Sequence, residues 1–189
     1  MSLRYVIWTL LIGCISCTDY TPKPRGYFRI DAPAAHYIPL PLDELPYTFH
    51  ISTQVEVELP PVGDPAGWIN LAYPVLNAKI YCSYLPITTT MLDELWEDSR
   101  LFISRQAVNS RTIQEQTYSD PEGKVYGSLF LLDGNSTAPV QFILTDSVSH
   151  FFRGSLFYDC IPNADSLAPV TNYLREDVVE LIQSFHWNP

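Results

Sequence analysis

One run of this 189-residue chain gathers several kinds of reactive side chain: Thr145-Asp-Ser-Val-Ser-His150-Phe-Phe-Arg-Gly154. Asp146 brings a carboxylate, Ser147 and Ser149 hydroxyls, His150 an imidazole, and Arg153 a planar cation with a fork of donors. Such a set can hold a ligand or a partner surface, with His150 and Arg153 donating. The competing reading is a hairpin connection, with Asp146 and Ser147 in turn roles and Arg153 paired to an acid. An Asp/Ser/His acyl-transfer triad is present in residue type only, because residues this close on one hairpin rarely reach triad geometry. A periplasmic ligand-binding module or hydrolase built around Asp146, His150 and Arg153 is thus one functional class to carry forward.

Other chemical signatures are missing from the sequence. There is no G-x-S-x-G, Walker A loop, G-x-G-x-x-G or H-E-x-x-H. His36, His50, His150 and His186 stand too far apart for metal-ligand spacing, so neither metal nor cofactor is expected. Beyond residue 17 the cysteines are Cys82 and Cys160, both on or at the end of expected strands. An oxidising compartment permits a disulfide between them if their Cα atoms come within about 7 Å. Two separate buried thiols are the other possibility.

The elements that must position these groups read as α+β. Val55, Val57 and Leu59 alternate with Gln54, Glu56 and Glu58, a half-buried strand with an acidic face. Strands are expected at 68–73 and 78–85, around Pro74 and Asn77. Thr88 to Thr90 offer N-caps to a helix running to about Asn109, with Leu92, Leu95, Trp96, Phe102 and Ile103 as its buried stripe. Strands follow at 112–119, 124–133, 140–145 and 150–158, with Asp133-Gly-Asn135 opening a turn. A closing helix is capped by Asp165 or Ser166 and takes Pro169 in its first turn. Its stripe is Val170, Tyr173, Leu174, Val178, Leu181, Ile182 and Phe185. Strands in runs with two segregated helices imply a mainly antiparallel sheet flanked by two helices.

Composition narrows the classes further. Apolar residues make up 47% and charged residues 17%, which excludes a disordered body. Eleven Lys and Arg against 21 Asp and Glu give a net charge of −10, with no basic cluster. Nucleic acid is therefore not an expected partner, because phosphate neutralisation needs concentrated cations. Eleven of the 16 prolines fall between Pro22 and Pro86. Thr21-Pro-Lys-Pro-Arg-Gly26 reads as extended polyproline-type chain.

The N-terminus reads as an address. Met1 to Arg4 form a positive n-region, and 5–12 are apolar but for Thr9. A bilayer span needs about 20 apolar residues, so this stretch suits a signal-peptide core instead. Gly13-Cys14-Ile15-Ser16-Cys17 then matches the small-residue-then-Cys pattern of bacterial lipoproteins, whose Cys is acylated with palmitate-type chains and becomes the first mature residue. Cys17 gives the workable signal length; Cys14 has the better preceding triplet. The expected organisation is a signal peptide over 1–16, an anchor and Pro-rich segment over 17–46, and a single α+β domain over 47–189. Within the Pro-rich segment Arg25, Tyr27, Phe28 and Arg29 are of the types that dominate interface hot spots, and they are candidate partner-binding residues alongside Asp146, His150 and Arg153.

The run Cys17-Thr-Asp-Tyr-Thr-Pro-Lys-Pro-Arg-Gly-Tyr-Phe-Arg-Ile30 resembles the mature start of the GldD family, gliding motility-associated lipoproteins of Bacteroidetes. The resemblance continues through 68–74, 80–84, Val125-Tyr-Gly127, 139–147, His150-Phe-Phe-Arg-Gly154, 162–170 and Trp187. It supports Cys17 as the lipid site. Cys82 departs from the aliphatic residue expected there, which argues against a family-wide disulfide. The resemblance implies a non-enzymatic accessory or assembly part of the gliding apparatus, linked to type IX secretion, whose partners are other envelope proteins. The order of elements also resembles the Mog1/PsbP-like α/β/α sandwich. No acidic run follows Cys17, which favours the periplasmic face of a membrane over surface export.

Overall fold

The computed structural model describes residues 34–61, 63, 65–160 and 163–188. The candidates Cys17, Arg25, Tyr27, Phe28 and Arg29, with the expected signal peptide and most of the Pro-rich segment, lie outside that range. Among the described residues there are eleven strands and two α-helices. The strands are β1 (Tyr37–Pro39), β2 (Tyr47–Thr48), β3 (His50–Ser52), β4 (Glu56–Glu58), β5 (Ile69–Tyr73), β6 (Ala78–Pro86), β7 (Ser110–Asp120), β8 (Val125–Gly134), β9 (Val140–Thr145), β10 (His150–Tyr158) and β11 (His186–Trp187). The helices are α1 (Leu92–Gln106), between β6 and β7, and α2 (Ala164–Gln183), before β11.

A seven-stranded sheet runs in the order β4-β5-β6-β10-β9-β8-β7, with every neighbour antiparallel. The fold class is α+β, as the run of strands with two helices implies. Strand parity divides the core in two, because successive side chains point to opposite faces. Phe152, Phe142 and Leu129 turn to one face and meet Leu174, Val178, Leu181 and Phe185 of and after α2. Phe151, Ile143 and Phe130 turn to the other and meet Ile103 of α1. One helix therefore covers each face, α2 over the larger core.

The remaining strands form small pairs beside α2. β1 lies on β3, with Tyr37 opposite Ser52, and β11 lies on β2, with Trp187 opposite Tyr47. Through them Tyr47, Phe49 and Phe185 reach the core as a stack whose rings lie 5.8 to 5.9 Å apart. Close backbone approach explains two glycines of the runs above. A Cβ on Gly154 would sit 2.3 Å from the Phe142 ring, and one on Gly127 would sit 1.9 Å from the Ile143 carbonyl oxygen.

The caps differ from expectation. α1 starts at Leu92 with Met91 before it, and the first bond runs from Leu95 N–H to the Met91 carbonyl. Thr88 and Thr90 instead hydrogen-bond each other through their hydroxyls at 2.9 Å, three residues and one residue ahead of the cap position. α2 is capped by Asn163, whose side chain accepts from Ser166 N–H at 3.3 Å. Pro169 is the sixth helical residue rather than part of the first turn. Its missing N–H would have faced the carbonyl of Asp165, an exposed residue whose carbonyl water can satisfy.

Candidate functional site

The run 145–154 forms the β9–β10 turn and the start of β10. Asp146 Oδ1 accepts from the backbone N–H groups of Val148, Ser149 and His150 at 2.9, 2.8 and 2.8 Å. Thr145 Oγ1 donates to the His150 carbonyl at 2.7 Å and accepts from Ser147 N–H at 2.9 Å. Ser147 sits at φ +67°, a left-handed position in the tip. Partial burial works against a charge on Asp146. The donated hydrogen bonds of Val148, His150 and Ser149, with the nearby imidazole, outweigh it and hold the carboxyl below its usual range. Asp146 and Ser147 thus shape the turn, as the hairpin reading requires.

His150 and Arg153 do not share a surface. Three residues apart on one strand, they point to opposite faces of the sheet. His150 faces the α2 side, where its Nδ1 meets the Tyr84 hydroxyl at 2.8 Å. Its ring stacks on Trp187 at 4.9 Å and 15°. Trp187 Nε1 donates to the Lys124 carbonyl at 3.1 Å, and its ring meets Phe185 edge-on at 4.7 Å. Burial, then the Asp146 charge, raises the Tyr84 hydroxyl pKa, so the hydroxyl stays neutral. Arg153 faces the α1 side. Its Nε donates to Ser83 Oγ at 3.0 Å and its guanidinium lies 5.6 Å from the Phe102 ring centroid. Burial lowers the Arg153 pKa and the nearby Asp98 opposes that shift. The three residues singled out in the sequence therefore do not line one cleft, and the expected acid partner of Arg153 is replaced by a hydroxyl and a ring.

The two thiols are also separate. Cys82 is buried in β6 and Cys160 is exposed beyond β10; both are free. Cys82 sits opposite Gly154, whereas Cys160 follows Tyr158, which sits opposite Ala78. From Gly154 to Tyr158 the strand already covers about 13 Å, beyond the about 7 Å a disulfide spans. The possible bridge and the expectation of two buried thiols are both corrected, the latter because Cys160 lies outside the sheet. Burial pushes the Cys82 thiol pKa up, which keeps it protonated and inert.

Two further features were not legible in the sequence. The first is a buried carboxylate. Asp177 of α2 is 5% exposed, and its Oδ1 accepts from the Tyr37 hydroxyl of β1 at 2.9 Å. Burial raises its pKa and the Glu176 charge adds to this, while the Tyr37 hydrogen bond and the nearby Tyr73 hydroxyl act against it; the net direction is up. Among the described residues its Oδ2 has no partner. The second is an open cleft of about 740 Å³ where α1 leaves the sheet uncovered, lined by Glu58, Ala72, Lys79, Tyr81, Phe157 and Asp159 among others. Tyr81 and Phe157 meet edge-on at 5.6 Å, and Lys79 Nζ reaches Glu58 Oε2 at 2.7 Å. The available signal was an aromatic on the outer parity of each strand, Tyr81 beside Ile80 and Cys82, Phe157 beside Leu156.

Among the described residues no group of three or more His, Cys, Asp or Glu is placed to hold a metal ion, and no helix is long and apolar enough to cross a membrane. A family model described as "Gliding motility lipoprotein GldD" matches residues 17–187. A search of curated proteins finds no match. Among solved structures, the solution structure of cyanobacterial PsbP (CyanoP) from Synechocystis sp. PCC 6803 is similar at 10% identity and a TM-score of 0.45, over 87% of this chain and 99% of that one.

Proposed function

Because the chain belongs to the gliding motility lipoprotein GldD family, we propose that it is an accessory or assembly lipoprotein of the gliding apparatus, linked to type IX secretion and without enzymatic activity. Cys17 carries the lipid, and the body faces the periplasm from the membrane that holds the acyl chains. The observation that carries this reading is the match itself, which spans 17–187 and so opens on the proposed acylated cysteine. Each buried CH₂ contributes about 0.8 kcal/mol, so the several acyl chains of a lipoprotein hold a domain of this size firmly. Its other partners are envelope proteins of the same apparatus, met by the Pro-rich segment around Arg25, Tyr27, Phe28 and Arg29 and by the rim carrying Asp146 and His150, while Arg153 steadies the sheet beneath α1.

Replacing Cys17 by Ala in the full chain tests the anchor. The expected result is loss of the acylated N-terminal peptide by mass spectrometry, release from the membrane fraction, and loss of gliding and secretion. An acylated Cys14 peptide in the unaltered protein would overturn the assignment of the anchor.

A further inference from the structure

The large sheet ends in two edges of unequal length. β4 closes one with three residues and β7 closes the other with eleven; among the described residues nothing pairs with the outer side of β7. Every second residue of such an edge turns its N–H and C=O outward, which makes a long edge a template for another strand. Proteins blunt edges with Pro, Lys, bulges or charges. β7 has neither Pro nor Lys. Its one irregularity falls between Ser110 and Thr112, so residues 112–120 pair with β8 without a register shift. Its carboxylates are drawn elsewhere. Glu115 accepts from Arg100 Nη2 at 3.0 Å, and Asp120 accepts from the Glu122 N–H in the turn at 3.1 Å. Residues 111–117 are all exposed, and among them Ile113 is 48% exposed, a β-branched apolar side chain left in water along the edge.

We infer that β7 pairs antiparallel with the β7 of a second copy of this chain across a two-fold axis, joining two sheets at their long edges. The strand's match to itself selects this occupant. A two-fold antiparallel pair opposes residues an even number of positions apart, so that side chains share a face and outward groups meet. With the axis at Gln116 every residue of the regular run finds a partner. Ile113 lies opposite the second copy's Ser119, Gln114 opposite Tyr118, Glu115 opposite Thr117, and Thr112 opposite Asp120. The two Gln116 side chains face each other, each amide with both donors and an acceptor. No like charges are opposed. Moving the axis breaks the match. At Glu115 it sets two carboxylates opposite each other, and at Gln114 it sets Ile113 against Glu115. At Ile113 the pairing runs into the bulge, and at Thr117 it leaves Thr112 and Ile113 without partners. The full register makes about eight to ten main-chain hydrogen bonds, as many as an ordinary protein interface carries.

The pairing invokes neither the lipid nor the gliding role, and its test reads neither, so its failure leaves both untouched. Cells make two differently tagged full chains, both with Cys160→Ser, one with Ile113→Cys and the other with Ser119→Cys. All the altered positions are exposed, so no packed side chain is changed. Lysis is in about 0.15 M salt, which screens the −10 of each copy beyond about 8 Å. Copper phenanthroline is then added, and chains without an added cysteine set the background. In the inferred register Cβ atoms 113 and 119 of different copies lie about 5 Å apart. Two residues 113, or two residues 119, lie about 20 Å apart. The expected result is a mixed 113–119 disulfide formed at least ten-fold faster than either self-product. Gln116→Lys in both chains, which opposes two cations on the axis, slows it to the self-product rate. Gln116→Lys in one chain with Gln116→Glu in the other restores it. Equal rates for mixed and self-products, no dimer above background, or a mixed rate unmoved by Gln116→Lys overturns the proposal. A disulfide to a different protein in place of the dimer overturns it too, and assigns the edge to a strand of that partner.

Discussion

Asp177 is the residue at which local chemistry and stability meet most directly. A carboxylate raised in pKa by burial binds a proton more readily in the folded than in the unfolded chain. Between the ordinary carboxylate value and the raised one, stability therefore falls as pH climbs, and the cost is fully present above the raised value. Tyr73, Tyr173, Glu176 and Glu180 surround the Tyr37–Asp177 pair, so deprotonation adds charge to a site already facing two carboxylates. Asp177→Asn keeps an oxygen for the Tyr37 hydroxyl and removes the charge. Denaturant unfolding at several pH values should find this variant at least as stable as the unaltered protein at neutral pH, with the advantage vanishing as pH drops into the ordinary carboxylate range. Asp177→Ala should instead cost about 1 kcal/mol or more, because Tyr37 loses its acceptor. A constant gap between the Asp and Asn proteins at all pH values would rule out a titrating Asp177.

The elements that sequence pattern locates well are the long ones. Strands β5 to β10 and both helices carry enough alternation or helical stripe to declare themselves, and 140–145 and 150–158 are bounded as expected. β1, β2, β3 and β11 are two or three residues long. They exist because distant segments pair, and no local period can announce that. Parity was the information missing for the site: contiguity suggested that His150 and Arg153 act together, but an odd spacing on a strand separates them. The cleft stayed hidden for the converse reason, since Tyr81 and Phe157 meet only through the β6–β10 register. Capping was misjudged by position rather than type. Asn163 is a good cap that opens α2 just ahead of the two residues expected to do so, and its side chain is the one holding Ser166 N–H. Asn163→Ala should cost about 1 kcal/mol in thermal or denaturant unfolding, while Asp165→Ala leaves the helix start intact. A larger loss at Asp165 than at Asn163 would contradict this cap assignment.

At the scale of the whole molecule the question is what connects lipid to domain. A plain spacer is sensitive to length and indifferent to side chains, whereas a recognition segment is the reverse. Arg25→Ala with Tyr27→Ala is expected to impair gliding or secretion at least several-fold while the protein stays folded and membrane-bound, since truncating such anchor residues commonly costs about 2 kcal/mol or more of binding. An equal length of Gly and Ser in place of residues 22–30 that preserves function would establish the spacer. The Tyr37–Asp177 contact adds a mechanical side to the same question. A pull on the lipid enters the described body at β1, and that hydrogen bond passes it to a 20-residue helix rather than to the edge of the large sheet. The three-residue pairing of β1 with β3 is the weakest link on that route. If it ruptures together with the Tyr37–Asp177 hydrogen bond, residues 34–39 pay out about 20 Å of slack before Leu40, buried in the core, takes the strain. The body thus carries a small extensible fuse between membrane and core, able to yield under tension without unfolding the sheet and to re-form when the tension is released.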